Sequence, residues 1–243
     1  MGSRFFRKNS ATEIVQKLSV KAVFENNLIE DGDRILIAAS GGKDSSVMAM
    51  TLSAIRSAVK KNYELCALHI SSDFCSCCKK AALSGRLHEW GIPFNDLFVP
   101  VIGRLKEGRK MNCYWCSTQR RTELLRYAQE NNFNKVALGH HLDDIIETFF
   151  MNMTASGVLS TMSIRLDYDK YPLSLIRPLA YIEERQVIAC AAENNILKAA
   201  CTCPYGVNSA RRDVRKRIAD LTGNSGDVKR RILKAATGVY EKK

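Results

Sequence analysis

Apolar and polar residues alternate along most of the chain with two different periods. Residues 10–28 carry apolar side chains at the three- and four-residue spacing of a helix. The run at 34–39, which includes Ile35-Leu36-Ile37-Ala38-Ala39, is almost entirely apolar, as is typical of a strand buried on both faces. The same reasoning predicts strands at 64–71, 96–101 and 135–139, and helices at 45–60, 79–90, 117–130 and 143–153.

Strands that alternate with helices predict a parallel sheet, because each return of the chain to the sheet needs a crossover. We therefore expect an α/β fold with helices on both faces of the sheet. Beyond about residue 180 the predicted helices at 182–194, 208–221 and 227–237 follow one another without a strand. The predicted parts are an N-terminal helix (1–30), a sheet domain (31–180) and a helical C-terminal region (181–243).

A glycine-rich loop separates the first predicted strand from the next helix, with the sequence Ser40-Gly41-Gly42-Lys43-Asp44-Ser45-Ser46. Glycines let backbone N–H groups face phosphate oxygens, and a helix N-terminus favours anions. Lys43 adds a charge, the serines add hydroxyl donors, and Asp44 suits Mg²⁺. The spacing is shorter than Gly-x-x-x-x-Gly-Lys-Ser/Thr. It resembles the PP-loop of the adenine-nucleotide alpha-hydrolase superfamily, which implies a parallel-sheet PP-loop fold, ATP binding and cleavage between the α and β phosphates.

Nine cysteines are many for a chain expected to lie in a reducing compartment, where disulfides are rare. The spacing of Cys113-Tyr-Trp-Cys116 lets two thiolates reach one metal or cluster, and the start of a helix favours the thiolate form. Zinc, an iron–sulfur cluster and a redox dithiol all fit this spacing. Further ligands are available at Cys201 and Cys203, whereas the group Cys75, Cys77 and Cys78 has no assigned role.

A set of ordered motifs is similar to that of the tRNA 2-thiocytidine biosynthesis family and of related 2-thiouridine synthetases. The motifs are the PP-loop, Cys113-x-x-Cys116-Ser-x-x-Arg120-Arg121, Gly139-His140-His141-Leu142-Asp143-Asp144 and Ile176-Arg177-Pro178-Leu179-Ala180-Tyr181. The likeness extends over about residues 10–235. It implies ATP and a [4Fe–4S] cluster held by three cysteines. The ligands that it implies are Cys113, Cys116 and Cys203, with Cys201 as the alternative third ligand.

Two alternatives to the cluster stay open for these cysteines. One is a structural zinc site completed by a histidine. The other is persulfide chemistry on the cysteines themselves, without iron. A bound iron–sulfur cluster differs from zinc in its colour, so purified protein distinguishes the first alternative directly.

The motif at 139–144 follows a predicted strand and opens a helix, which places it at the sheet edge where α/β proteins bind ligands. Paired carboxylates can hold Mg²⁺ or transfer a proton. We expect one of the two aspartates to cap the helix. The resemblance implies a catalytic role for Asp144. The predicted catalytic residues are Asp144, Lys43 and Arg120, and the predicted nucleotide contacts outside the PP-loop are Gly139, His140 and Asp143.

The charge balance indicates a polyanionic partner. The 37 Lys and Arg residues exceed the 25 Asp and Glu residues and give a net charge of +12. Basic side chains strengthen binding to nucleic acid by releasing counterions from its phosphates. The residues predicted to bind RNA are Arg121, Arg211, Arg212, Arg215 and Arg217. The alternative for this run is a solvated helix face.

The sequence favours a cytoplasmic protein that does not contact a membrane. No stretch approaches the roughly 20 apolar residues that span a bilayer, and the first residues lack the apolar segment of a secretory signal. We expect a transferase that adenylates O2 of a cytidine in the tRNA anticodon loop and replaces it with sulfur. Its expected partners are tRNA and a sulfur donor, either a cysteine desulfurase persulfide or sulfide, and the chain is a possible homodimer.

Three other functions fit parts of the pattern. The first is 2-thiouridine synthesis by the same chemistry. The second is a zinc-containing PP-loop amidotransferase or ligase. The third is an RNA-binding redox or iron sensor without catalysis, against which the intact PP-loop argues.

Overall fold

The computed structural model describes residues 10–74, 80–196 and 209–238, and the side chains of residues 209–212 lie outside the description. The helices are α1 (Ala11–Glu25), α2 (Lys43–Ala54), α3 (Arg56–Val59), α4 (Lys80–Glu89), α5 (Cys113–Glu130), α6 (Leu142–Ser156), α7 (Glu184–Glu193), α8 (Ser209–Thr222) and α9 (Gly226–Gly238). The strands are β1 (Asp33–Ala38), β2 (Tyr63–Ser72), β3 (Phe94–Val99), β4 (Lys135–Ala137), β5 (Arg165–Asp167) and β6 (Ser174–Ile176).

The strands form one six-stranded sheet in the order β3-β2-β1-β4-β6-β5. Every neighbouring pair is parallel except β5 and β6, which are antiparallel. The predicted parallel α/β sheet is therefore confirmed. The sequence analysis missed β5 and β6, because three residues are too few for a period to be recognised.

Both faces of the sheet are covered, because alternate residues of each strand enter different parts of the core. Ile35 and Ile37 of β1 pack with residues of α1, α2 and α7. Leu36, between them, packs on the opposite face with Leu124 and Leu125 of α5. The run at 35–39 does not alternate between apolar and polar residues, which predicted a strand buried on both faces. The structure confirms this, because β1 lies between two layers of helices.

The first helix is held to the seventh. The side chain of Ser10 accepts the N–H of Glu13, and the Glu13 carboxylate accepts the N–H of Ser10, which forms a capping box. The carboxylate of Glu193, at the end of α7, also accepts the N–H groups of Ala11 and Thr12 at 2.7 and 2.9 Å. These bonds place α1 and α7 side by side on one face of the sheet.

Two predicted helices have different limits in the structure. The helix predicted at 45–60 is two helices, because the backbone at Ile55 (φ −85°, ψ 2°) leaves helical geometry between α2 and α3. The helix predicted at 117–130 begins earlier, at Cys113. The side chain of Asn112 accepts the N–H of Trp115 at 2.8 Å and caps this helix, so both cysteines lie in its first turn.

No helix within residues 10–74, 80–196 and 209–238 is long and apolar enough to cross a bilayer.

Candidate active site

The phosphate-binding loop and the acidic motif follow adjacent strands. The chain leaves β1 towards β2 and leaves β4 towards β6, on opposite sides of the sheet order. The point where these connections diverge is where open α/β sheets bind ligands, outside the carboxyl ends of the strands. The loop at 40–46 and the motif at 139–144 both lie at this point, as the sequence predicted.

The loop after β1 has the strand–loop–helix geometry that its sequence predicts. Gly41 has φ +80°, a conformation that favours glycine, and Gly42 is the N-cap of α2. The hydroxyls of Ser40 and Ser45 lie 3.0 Å apart, and that of Ser45 also donates to the Gly42 carbonyl at 3.1 Å. Ser46 is buried. These bonds hold the loop closed, with the N-terminus of α2 directed into the site.

Gly139 brings the second motif against this loop. A Cβ atom at Gly139 would lie 3.0 Å from the backbone nitrogen of Ser45 and 3.1 Å from the carbonyl carbon of Asp44. Contacts this short with backbone atoms cannot be relieved by turning a side chain. A glycine is therefore required for the close approach of the two motifs.

Lys43 lies between two carboxylates. Its Nζ is 3.0 Å from Oδ1 of Asp44 and 3.2 Å from Oε1 of Glu184, at the start of α7. Burial opposes the charged form of Lys43, but the hydrogen bonds that it donates to Asp44 and Glu184, together with their charges, outweigh burial and raise its pKa. Lys43 therefore remains a cation across the neutral range. Sequence analysis missed Glu184, because nothing local marks a contact between residues 141 positions apart.

The two aspartates of the acidic motif have different environments, and both accept bonds from a helix N-terminus. Oδ2 of Asp144 accepts the N–H of His141 at 3.1 Å and lies 3.4 Å from the Nε2 atom of that residue. Asp143 reaches across to the C-terminal helices: Oδ2 accepts the N–H of Glu184 at 2.6 Å, and Oδ1 accepts Lys229 at 2.6 Å. As expected, one of the two aspartates, Asp144, caps its own helix, whereas Asp143 caps α7.

The ion pair fixes the charge of Asp143. Burial raises the pKa of this carboxyl. The hydrogen bonds from Lys229 and from the backbone of Glu184 together lower it by more than burial raises it, so the net effect is a lowered pKa. His141 lies between the aspartates and the PP-loop: it is buried, 4.0 Å from Asp44 and 3.8 Å from Asp143. The carboxylates and this imidazole thus form one connected group beside the loop.

A cleft of about 270 Å³ joins the PP-loop to the cysteine helix. Ser40 and His140 line it from the sheet, and Ser117, Arg120 and Arg121 line it from α5. Nη2 of Arg120 donates to the carbonyl of Ile70 at 3.3 Å, which holds this side chain over the end of β2. The PP-loop and the helix that begins with the two cysteines therefore line the same cleft.

The two cysteines of α5 fit the donor set of a cluster or a metal. Cys113 is exposed and Cys116 is half-buried, and the two lie one turn apart at the N-terminus of α5. Within the described residues no group of three ligand side chains converges. The predicted third ligand, Cys203, its alternative Cys201 and the group Cys75, Cys77 and Cys78 all lie outside the described residues.

The predicted RNA-binding arginines differ in their contacts. Nε of Arg215 lies 2.6 Å from Oε1 of the buried Glu147, and Nη1 lies 3.1 Å from Oε2 of Glu184. Arg217 is exposed on the same helix, and Arg121 is exposed at the cleft. The side chains of Arg211 and Arg212 lie outside the description. Arg215 therefore has a role in joining α8 to α6 and α7, whatever it does with RNA.

Known proteins resemble this chain along most of its length. The family model for the PP-loop domain matches residues 11–220. The tRNA-cytidine(32) 2-sulfurtransferase of Geobacter metallireducens is 35% identical over 224 residues, which is 90% of this chain and 87% of that protein. The enzyme of the same name from Coxiella burnetii is 33% identical over 223 residues, 90% of this chain and 87% of that protein. The chain belongs to this sulfurtransferase family of PP-loop proteins.

Two solved structures share the fold of this member of the tRNA-cytidine 2-sulfurtransferase family. The U34-tRNA thiolase NcsA from Methanococcus maripaludis, solved with its [4Fe-4S] cluster, superposes with a TM-score of 0.81 at 23% identity, over 96% of this chain and 80% of that one. NMN synthetase from Francisella tularensis superposes with a TM-score of 0.55 at 16% identity, over 95% and 94%. The predicted family and fold class are confirmed.

Proposed function

We propose that this protein is an ATP-dependent tRNA sulfurtransferase that converts a cytidine of the anticodon loop, position 32 in the family's name, into 2-thiocytidine. The observation that carries the proposal is the single cleft lined by Ser40 of the PP-loop and by Arg120, one turn after Cys116. A phosphate loop alone fits many ATP-using enzymes. A phosphate loop that shares a cleft with a two-cysteine helix fits activation of a base followed by delivery of sulfur.

The first chemical step activates the base. O2 of cytosine attacks the α-phosphorus of ATP, the bond to the β-phosphate oxygen breaks, and pyrophosphate leaves. The N–H groups at the start of α2 and the charge of Lys43 are suited to hold the β- and γ-phosphates and to stabilise charge on the leaving pyrophosphate. Asp44, beside Lys43, is our proposed Mg²⁺ ligand, because carboxylate oxygens are preferred by that ion.

The second step replaces oxygen by sulfur. A hydrosulfide adds to C2, the C2–O bond breaks, AMP leaves with the original oxygen, and one proton is lost. A persulfide donor would require two further electrons from an external reductant. Asp144 and His141, 3.4 Å apart at the N-terminus of α6, are the proposed acceptors of that proton, with Asp144 as the catalytic residue. Arg120 is suited to stabilise the negative charge of the departing AMP.

The cysteines form the proposed sulfur-delivery end of the cleft. We propose that Cys113 and Cys116 are two ligands of a [4Fe–4S] cluster and that Cys203, or alternatively Cys201, is the third. When bound through three thiolates, such a cluster offers an iron position that can carry an exogenous sulfide.

The remaining partners follow from this reaction. The tRNA is proposed to approach the exposed Arg121 and Arg217, with the target base unstacked to reach the cleft. The sulfur donor is a desulfurase persulfide or free sulfide, and a homodimer is a possible assembly. We place the reaction in the cytoplasm, and we keep the division into residues 1–30, 31–180 and 181–243 as a proposal.

Formation of pyrophosphate tests the first step by itself. Anaerobically purified protein with ATP and Mg²⁺ should release pyrophosphate and AMP only when tRNA is added, because the base is the nucleophile. A tRNA transcript with cytidine at position 32 should support release, whereas a transcript with adenosine there should not. Lys43→Ala is the negative control. Equal release with both transcripts would show that cytidine 32 is not the acceptor.

A further inference from the structure

Arg177 differs from the other buried cations of the described residues. Lys135, Arg177 and Lys229 are exposed by only 3%, 6% and 8%. Lys229 lies 2.6 Å from a carboxylate oxygen of Asp143, and Lys135 lies 3.9 Å from one of Asp33. Within the described residues, no carboxylate lies within ion-pair distance of Arg177. A buried guanidinium without a counter-charge destabilises a fold. The stability of the fold therefore does not explain the presence of Arg177, which points to a role in function.

The contacts of Arg177 orient it without neutralising it. Nη1 donates to the carbonyl of Ser163, and Nε donates to Nδ1 of His140 at 3.4 Å. Because a guanidinium only donates, Nδ1 of His140 is the acceptor in this bond. His140 lines the cleft, so Arg177 also sets the hydrogen-bonding state of a residue in the site.

A second positive charge stands close to the first. Burial, together with the nearby charge of Arg121, lowers the pKa of Arg177 to about 10. This value still leaves Arg177 charged at neutral pH. Arg121 lines the cleft beside His140. The charge of Arg121 in the cleft and that of Arg177, buried behind the cleft residue His140, together favour the binding of an anion there.

The position of Arg177 separates this pair from the PP-loop. Arg177 directly follows β6, the PP-loop follows β1, and β4 lies between these strands. Strands are spaced by about 4.8 Å, so the ends of β1 and β6 are about 10 Å apart. Arg177 is therefore offset from the loop that is proposed to hold the β- and γ-phosphates. The pair is suited to a different phosphate.

We propose that Arg121 and Arg177 form a second phosphate site in the cleft, which binds either the phosphodiester next to the target nucleotide of the RNA or the phosphate of the AMP moiety. The proposal rests on the proposed function for the identity of these two sources. Guanidinium groups bind phosphate oxygens in bidentate geometry, which fixes orientation as well as affinity. The site would fix the position of the reacting base or of the nucleotide relative to the PP-loop.

The test measures affinity for tRNA and for AMP separately, in wild type, Arg121→Gln, Arg177→Gln and Arg177→Lys. If the RNA supplies the phosphate, both Gln variants bind tRNA at least about tenfold more weakly, and the slope of log affinity against log salt becomes shallower by about 0.7 for the lost contact to a single-stranded loop. Affinity for AMP is then unchanged. If the nucleotide supplies the phosphate, AMP binding weakens and the salt slope for tRNA is unchanged. Arg177→Lys should recover only part of the loss, because an ammonium lacks the bidentate geometry.

Two controls separate a ligand site from a structural role. Arg126→Gln removes an arginine of the same helix α5 that is paired with Glu123, so it should leave both affinities unchanged. Arg177→Gln should melt at or above the temperature of the wild type when ligands are absent, because it removes an unpaired buried charge. A lower melting temperature with unchanged affinities would overturn the proposal, as would unchanged affinities alone. If the wild type binds no tRNA, the proposed function fails, and AMP binding decides the site by itself.

Discussion

Arg215 and Glu147 form an ion pair of 2.6 Å between α8 and α6, in which the arginine is half-exposed and the glutamate is buried. The same arginine reaches Oε2 of Glu184, whose other oxygen accepts Lys43 of the PP-loop. A chain of alternating charges therefore runs from the C-terminal helices to the ATP site. Arg215, although it belongs to the basic run at 211–217, therefore makes contacts within the protein.

Arg215→Ala should lower the stability of the fold, whereas Arg217→Ala should weaken only the binding of tRNA. Removing Arg215 leaves the buried carboxylate of Glu147 without this partner and should cost about 2 kcal/mol of unfolding free energy, between the values for surface and buried pairs. Removing the exposed Arg217 should leave stability unchanged and weaken tRNA binding. Denaturant unfolding and tRNA titration of both variants measure this. Equal stability of the two variants would contradict the role of the ion pair.

Gly139→Ala should damage ATP binding without unfolding the protein. The added methyl group meets the backbone of Ser45 at 3.0 Å, so the start of α2 must move. We expect ATP affinity to fall at least about tenfold, or about 1.4 kcal/mol. The matched control is Gly85→Ala in α4, where a Cβ meets nothing within 4 Å and helix propensity favours alanine by about 1 kcal/mol. Unchanged ATP affinity in Gly139→Ala would argue against the contact.

The ion pair of Asp143 predicts a pH-dependent part of the stability. The pKa of Asp143 is lowered in the folded protein, so its contribution is complete above the ordinary aspartate pKa of about 3.9 and is lost as the pH falls through the lowered value. Asp143→Asn should be less stable than the wild type at pH 7, and the difference should shrink below about pH 4. Urea unfolding at a series of pH values measures the difference. A difference independent of pH would show that the charge of Asp143 contributes nothing.

The cysteines of α5 can be compared with a buried cysteine of the sheet. Cys113→Ser and Cys116→Ser should each lose bound iron and its visible absorbance after anaerobic purification. Cys66 lies buried in β2, where burial raises the pKa of its thiol, so Cys66→Ser should retain both. Stoichiometric zinc and no iron in the wild type would instead support the alternative of a zinc site.

Local signals in the sequence predicted most of the fold. The apolar run at 35–39 and the loop that follows it act over a few residues, and the structure has both the strand and the closed loop. The break at Ile55 was not predictable, because apolar spacing continues through it. The strands β5 and β6 were missed because three residues carry no period.

The candidate site was predictable where one motif contributes the residues and not where the fold brings distant residues together. Lys43, Asp144 and Cys116 belong to motifs that can be recognised from spacing. Glu184 and the contact of Arg215 with Glu147 depend on how α7 and α8 pack against α6. No local pattern encodes that packing. The sequence therefore could not distinguish an arginine that faces solvent from one that pairs with a buried carboxylate.

The most direct test of the central claim is to identify the modified nucleoside. Anaerobic protein, ATP, Mg²⁺, sulfide and tRNA from cells that lack thiolated cytidine are incubated together, and the nucleosides are analysed by mass spectrometry. We expect 2-thiocytidine with the wild type and none with Cys113→Ala or with Asp144→Asn, whose side-chain oxygen can still accept the N–H of His141. Formation of 2-thiouridine, or of no thionucleoside by protein that binds ATP and iron, would contradict the central claim.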